Sequence, residues 1–582
     1  MINNIKILFI SFLLTLLSIC LSQTNPTHEY TTSFQFIDLI WEDDFENNHL
    51  NHWTIYDEIP DEPSNWHVRR GYLIDDSDSG TKSKIRGTHI TTGDVRWRDY
   101  VITTIVSYTD DDYIGLLFRY QDKNNYYRLL MSSQMQIIRL DKVHEGEISI
   151  LDSFDEEEWP ECTFTITVAA LKDTLTIYLN DIEFFHVQDS QFRHGKVGFF
   201  TCSNKGLFCD YLRIYKNYQL VSIHVPLKFQ TGPYLQRVLN DEAVIMWRTN
   251  YPASSCVDYS LQKTAVNALE SSNRTRIHEI ELSDLEPGSS YYYRIRSDSI
   301  TSDWYSFTTE SPNDTAFSFI LYGDNQTNFL THRDIVSAFQ QHTFDFIISV
   351  GDVVQRGHSS DWNTEFFNPL APAIKYKPVY AAIGNHELNA RYFYDYYSTP
   401  DSSHENYYSF SYENCFFIFI DNPINAYPDK KFYTDISPGS PQYSWLVSQL
   451  ASESARTADW LIVCGHIPCY NVSHPAPYPN NMKYLVPLFE KYGVDIYFAG
   501  HNHNYQRGFA NGVTYIVSGG GGGKLSERKI YTNDIITVMH RKHHYCKIDV
   551  LGKELSFTMY DIKNQALDKL QLTSRYSERN QY

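Results

Sequence analysis

Positive charge is what this chain has least of. Against 70 Asp and Glu it carries only 49 Lys and Arg, a formal net charge of −21. A nucleic-acid partner is bound through a basic face that meets its phosphates, so the composition argues against one. It also repels anionic surfaces, and an anionic substrate would need a local positive centre such as a metal ion. Cysteine is scarce as well: nine residues, eight without Cys20. Cys202 and Cys209 flank the turn-rich "SNKGLF" and are candidates for a bridge across a hairpin. Long apolar runs are missing beyond the N-terminus, so no transmembrane segment is expected. The start, "MINNIKILFISFLLTLLSICLSQ", places Lys6 before a short apolar run and small residues around Ser22. Residues 1–22 therefore read as a signal peptide, and the mature chain as secreted or lumenal, including lysosomal. Sequons at Asn273 and Asn313 fit an exported glycoprotein. Those at Asn325 and Asn471 fall inside the motifs described below and are expected to stay bare.

What is present is β structure first. The 582 residues suggest about three or four domains, and 42% apolar content suits packed cores. Tyr (45) and Phe (34) are abundant, which suits strands without choosing a function. Residues 34–216 read as β throughout. "DTLTIYLNDIEFFHV" alternates Leu175, Ile177 and Leu179, then turns at Asn180-Asp181. "DYIGLLFRYQDKNNYYRLLM" repeats the plan, so an all-β jelly roll or two-sheet sandwich is expected. Its pattern of "WEDDF", "WHVRRGYL" and "KVGFFT" resembles a concanavalin/laminin-G-like domain. That resemblance implies either a glycan ligand or a structural or targeting module. Residues 226–311 form a second β unit, a small Ig-like sandwich of about domain size for that fold. Leu285 to Arg294, "LEPGSSYYYR", resembles the fibronectin-III-like domain that precedes the catalytic domain of purple acid phosphatases. From 315 to 570 near-continuous apolar strands alternate with helical stretches, the layered α/β pattern.

Five apolar strands in this last part end in a polar residue that can ligate a metal. "FILYGD" ends at Asp324, "FIISVGD" at Asp352, "VYAAIGNH" at Asn385-His386, "LIVCGH" at His466 and "IYFAGHNH" at His501 and His503. Glycine stands immediately before the first such residue every time, where a sharp turn and close approach are needed. In open α/β sheets ligands bind beyond the carboxyl ends of strands, so these side chains are expected at one edge. Oxygen and nitrogen donors with almost no sulfur suit Zn, Mn, Fe or Mg. Six or seven donors are too many for one tetrahedral ion and enough for two that share a carboxylate. Two such ions clamp an in-line displacement at phosphorus.

The ordered motifs Gly323-Asp324, Gly351-Asp352, Gly384-Asn385-His386-Glu387, Val463-Cys464-Gly465-His466 and Gly500-His501-Asn502-His503 resemble those of the calcineurin-like metallophosphoesterases. With the β domain ahead of them they resemble the purple acid phosphatase branch. The resemblance implies a four-layer α/β domain. It implies Asp324 and His503 on one metal, Asn385, His466 and His501 on the other, and Asp352 bridging. His386 and His474 match the outer histidines that hold phosphate and protonate the leaving oxygen. One position departs: three residues after the bridging Asp the purple enzymes carry a tyrosine that binds ferric iron, and here stands Gln355. A glutamine has no phenolate, so a colourless Zn, Mn or mixed pair is expected, with iron in doubt.

Three readings of function follow. One is a binuclear phosphatase acting on phosphate monoesters by attack of metal-bound hydroxide. Another is a phosphodiesterase on nucleotides or lipid head groups with the same centre. The third is a glycan- or surface-binding protein with a non-catalytic metal fold. "SGGGGGK", 518–524, lacks the ending of a phosphate loop and reads as a glycine loop near the metal edge. Cys464 and Cys469 bracket His466 and read as buried rather than as zinc thiolates. His543-His544 read either as reaching the site or as a solvated turn.

Overall fold

The computed structural model describes residues 30–575 apart from 82–84, 109–111, 133–136, 156–162, 205, 225, 264–265, 312–315, 356, 358–360, 388–389, 401–403, 423–434, 474–478 and 527–531. Residues 1–22, read above as a signal peptide, and Asn313 and His474 thus lie outside the described residues.

Alternating apolar residues fold the first β unit into two sheets. One is eight-stranded, with Tyr100–Tyr108, Thr163–Leu171 and Leu207–His224 at its centre. The other is seven-stranded, with Tyr113–Asp122, Asn125–Ser132 and Lys196–Cys202 at its centre. Their inner faces share Ile102, Phe118, Leu129, Val168, Ile177, Phe199 and Leu212, all buried. The expected hairpin is present: Thr174–Leu179 pairs with Ile182–Gln188. Asn180 and Asp181 both take left-handed backbone (φ 50° and 66°), the combination whose twist suits a two-residue hairpin turn. The Cys202–Cys209 bridge is a correction. Lys196–Cys202 and Leu207–His224 belong to opposite sheets, and both thiols are free and buried.

In the second unit a six-stranded sheet is built on Ala243–Ser260, an 18-residue strand. Its register shifts between Arg248 and Ala253 and again before Ser255. Strand residues on either side of the shifts, Ile245, Trp247 and Val257, join Leu235, Leu285, Tyr293, Ile295 and Phe307 in one core.

The last part has two sheets. The first runs Val379–Ala381, Phe346–Ser349, Ala316–Tyr322, His544–Leu551, Glu554–Asp561, Ala566–Thr573. Its first three strands are parallel and the rest antiparallel. The second places Cys415–Phe419, Trp460–Cys464, Ile496–Ala499 and Val513–Ser518 side by side and parallel. Phe319, Ile348, Phe417, Ile462 and Phe498 fill the space between the sheets. Helices cover both outer faces. Phe329–Phe339 packs Ile335, Val336 and Phe339 against Ile320 and Ile347, and Pro441–Leu450 with Val486–Tyr492 covers Ile418, Leu461 and Val463. The result is the helix, sheet, sheet, helix stack expected of strands that are apolar on both faces.

The N-terminal sandwich rests on this stack. Tyr72, Ile74 and Phe208 pack on Phe329 and Leu330, with the Phe208 and Phe329 ring centres 4.9 Å apart. Arg69 and Arg70 both pair with Asp334, on the same helix. Among the described residues no helix is long and apolar enough to cross a membrane.

Candidate metal centre

Parallel strands present their carboxyl ends at one edge, so the residues that follow them meet there. Asp324 follows Ala316–Tyr322, Asp352 follows Phe346–Ser349 and Asn385 follows Val379–Ala381 in one sheet; His466 follows Trp460–Cys464 and His501 follows Ile496–Ala499 in the other. Four side chains close on one point. His466 Nε2 lies 3.0 Å from Asp352 Oδ2 and 3.1 Å from Asn385 Oδ1. His501 Nδ1 lies 2.8 Å from Asn385 Oδ1 and 3.3 Å from His466 Nε2. Asp352, His466 and His501 offer ligand atoms all within 4.8 Å of one another. Beside them, His503 Nε2 stands 3.5 Å from Asp324 Oδ1. His386 joins through its backbone, whose N–H donates to Asp352 Oδ1 at 2.8 Å.

The backbone around these residues is strained. Asp324, Asp352 and His501 have φ of 58°, 52° and 68°, the left-handed region that non-glycine residues rarely occupy. Such strain persists only where the surroundings over-determine it, and it gathers at functional sites. Gly351, at φ 90°, precedes Asp352; a Cβ there would stand 2.7 Å from His466 Nδ1.

Partners behind the ligands fix which ring atom faces the centre. His466 Nδ1 donates to the Val350 carbonyl at 2.7 Å, and His503 Nδ1 to the Lys524 carbonyl at 2.7 Å. Each leaves Nε2 as the atom that could ligate, the arrangement that orients metal-binding imidazoles. His386 Nδ1 donates to the Gln355 carbonyl at 2.9 Å. The 519–523 glycines pack on the Asp324 loop, with Gly523 N–H donating to the Asp324 carbonyl at 2.8 Å.

The charges ask for a cation. Burial raises Asp324 well above the usual carboxylate range, and the Asp352 carboxylate nearby adds to this. Burial also opposes charge on Asp352 and on His466. Each nonetheless stabilises the other's charged form, so Asp352 is held low and His466 is raised to about 10. Burial keeps His501 and His503 neutral, His503 down at about 4, with lone pairs ready to ligate. Two buried carboxyl groups beside the neutral His501 and His503, with only the charge on His466 to offset them, fit divalent or trivalent ions.

Several supporting residues carry no signal that spacing alone reveals. Glu387 is fully buried, and its carboxylate accepts the N–H groups of Asp352 (3.1 Å), Val353 (2.6 Å), Val354 (3.3 Å) and Gly384 (2.5 Å). It thereby ties the Asp352 loop to the Asn385 loop. Ser473 Oγ receives Asn502 Nδ2, Asn504 Nδ2 and Gln506 Nε2 at 3.2, 2.8 and 2.9 Å, pinning the His501–His503 turn. Gln326 Nε2 reaches to 3.3 Å from His503 Nε2. Asn325 and Asn471 are both buried, which suits their staying bare. Cys464 and Cys469 are buried free thiols. His544 is buried against Ser518, while His543 is half-buried at a neighbouring cleft.

Residues 317–505 match the family model of the calcineurin-like phosphoesterases, and residues 232–309 that of the purple acid phosphatase N-terminal domain. Among curated proteins the chain is similar to probable purple acid phosphatase 20 of Arabidopsis thaliana, 28% identical over 250 residues, covering 40% of this chain and 55% of the relative. It is also similar to tartrate-resistant acid phosphatase type 5 of Homo sapiens, 32% identical over 155 residues, covering 24% and 45%. The chain spans about half the length of the first curated relatives it matches. Among solved structures, purple acid phosphatase PPD1 from yellow lupin (Lupinus luteus) seeds shares the fold, with a TM-score of 0.56 at 15% identity over 88% of this chain and 94% of that one. By motif order and family match, residues 317–505 carry a calcineurin-like phosphoesterase domain and residues 232–309 a purple acid phosphatase N-terminal domain.

Proposed function

We propose that this chain is an exported phosphatase that hydrolyses phosphate monoesters at a centre holding two metal ions. The observation that carries this reading is the convergence of two buried carboxylates, an asparagine and three imidazoles at one sheet edge. Asn385, His466 and His501 are assigned to one ion and Asp324 and His503 to the other, with Asp352 between them. Bound there, two ions supply Lewis-acid polarisation of the phosphoryl oxygens and a nucleophile near neutral pH. The chain's own part is orientation and proton handling. Carbonyls hold His466 and His503 by Nδ1, so their Nε2 atoms stay aimed. The Gln355 carbonyl holds His386 by Nδ1–H, which leaves the Nε2 lone pair free to take up a proton and, once protonated, to pass it to the departing oxygen. His474 is assigned the same assisting role on the family resemblance alone.

Metal analysis of the purified chain, run with a panel of phosphate mono- and diesters, tests the assignment. Two equivalents of metal and faster turnover of monoesters are expected. Faster diester turnover would move the assignment to a phosphodiesterase. Absence of metal uptake and of hydrolysis would leave only the binding-protein reading. Because Gln355 offers no phenolate, the metal-loaded chain is expected to be colourless. A visible tyrosinate–iron band in its absorption spectrum would overturn the Zn, Mn or mixed-pair assignment.

A further inference from the structure

The two sets of donors assigned above are unequal. On one side of the centre Asn385, His466 and His501 join Asp352. On the other, Asp324 and His503 have only Asp352 to share, and Gln355 brings no phenolate to that side. The Asp324 side is therefore one protein donor poorer.

Gln326 stands beside that gap. It is 1% exposed, and its Nε2 lies 3.3 Å from His503 Nε2, the ring atom that also stands 3.5 Å from Asp324 Oδ1. Its backbone is held on both sides. The Gln326 N–H donates to the Asp352 carbonyl at 3.3 Å, and the Gln326 carbonyl accepts the Asn328 N–H at 3.0 Å. The preceding side chain, Asn325, donates through Nδ2 to the Val353 carbonyl at 2.8 Å. Asp324 and Thr327, at φ 58° and 71°, put left-handed backbone before and after it. A loop tied to the Asp352 loop in this way aims the Gln326 amide at the Asp324–His503 pair.

That amide is only half used. His503 gives its Nδ1 proton to the Lys524 carbonyl, so Nε2 carries a bare lone pair and accepts from Gln326 Nε2. Gln326 Oε1 is buried and meets no hydrogen-bond donor among the described residues. A buried acceptor left without a donor is costly and calls for a partner. An ion held by Asp324 and His503 would take the imidazole lone pair and give the amide oxygen that partner. A half-turn of the amide exchanges its nitrogen and oxygen without changing its outline, so one side chain can serve His503 as a donor or an ion as a ligand.

We propose that Gln326 is a metal ligand through Oε1, joining Asp324, Asp352 and His503 on one of the two ions. The inference rests on the two-ion reading above. It puts a neutral amide oxygen where a phenolate would bring charge, and a neutral oxygen suits a divalent ion.

The test titrates Mn(II) into the metal-free full chain and into its Gln326→Leu and Gln326→Glu variants, counting free ion by its electron paramagnetic resonance signal. The native chain should bind two equivalents. Gln326→Leu, which has no oxygen to offer, should bind the first at native affinity and the second at least about tenfold more weakly, the loss expected even for an outer partner of a ligand. Gln326→Glu returns an oxygen donor and should hold the second at least as tightly as the native chain. A role in packing alone predicts no such rescue, and the thermal midpoint of each metal-free variant checks its fold. Should Gln326→Leu fail to fold, Gln326→Glu decides. A native second affinity in Gln326→Leu, or a weakened one in Gln326→Glu, would overturn the ligand and leave the two-ion reading intact. A native chain that takes up fewer than two equivalents would sink the two-ion reading itself, and this proposal with it.

Discussion

Replacing Asp352 by Asn is expected to lower kcat for phenyl phosphate by at least about a thousandfold, roughly 4 kcal/mol of barrier. The carboxylate sits 3.0 Å from His466 Nε2, accepts the His386 N–H, and is assigned the position between the two ions. An amide keeps the shape but has no charge to offset two cations, so metal content should fall together with the rate. Asp352 is buried, and its backbone N–H is held by Glu387, so the variant should keep its fold and circular dichroism should match the native chain. A variant with native metal content and native rate would remove Asp352 from the centre.

Gly384→Ala should be nearly as damaging for a purely steric reason. A Cβ at this position would lie 2.2 Å from Asp352 Oδ1 and 2.4 Å from Asp352 N, and neither can move away. The backbone N–H is tied to Glu387, and the carboxylate accepts from His386. Overpacking of this kind is expected to cost about 3 kcal/mol or more of stability, because a backbone atom must shift. Thermal unfolding and metal affinity should both fall. A substitution that leaves both at native values would show that the Asp352 and Gly384 loops are not packed against each other as described.

Much of this centre could be read from residues alone because strand, glycine and ligand recur as a unit. An apolar run such as "FIISV" predicts a doubly covered strand, and the glycine after it predicts the tight exit that Gly351 makes. The residue after that glycine then has one place to go, the carboxyl edge of the sheet. What stayed illegible was work done for the backbone or across long sequence separations. Glu387 looks like a fourth motif residue, yet its task is to accept four backbone N–H groups, and no spacing announces that. Ser473 gathers three amide side chains from a turn about thirty residues away in sequence. The cysteine pair misled because a turn-rich stretch between two strands looks like a hairpin even when it carries the chain from one sheet to the other. The docking of Tyr72, Ile74 and Phe208 on Phe329 and Leu330 joins segments more than a hundred residues apart, and the cleft it creates has no local signature.

One feature of the first sheet bears on how the protein is made. Ala316–Tyr322, the strand that delivers Asp324, lies between Phe346–Ser349 and His544–Leu551, and Phe317 is in register with Val550. During synthesis it must wait, exposed along one side, until the ribosome has released more than two hundred further residues. An unpaired strand with this many aliphatic and aromatic groups invites mispairing. The edge that carries the candidate ligands can therefore close only after translation of the domain is nearly finished, and a nascent chain arrested before His544 would present an open, adhesive border instead of a finished sheet.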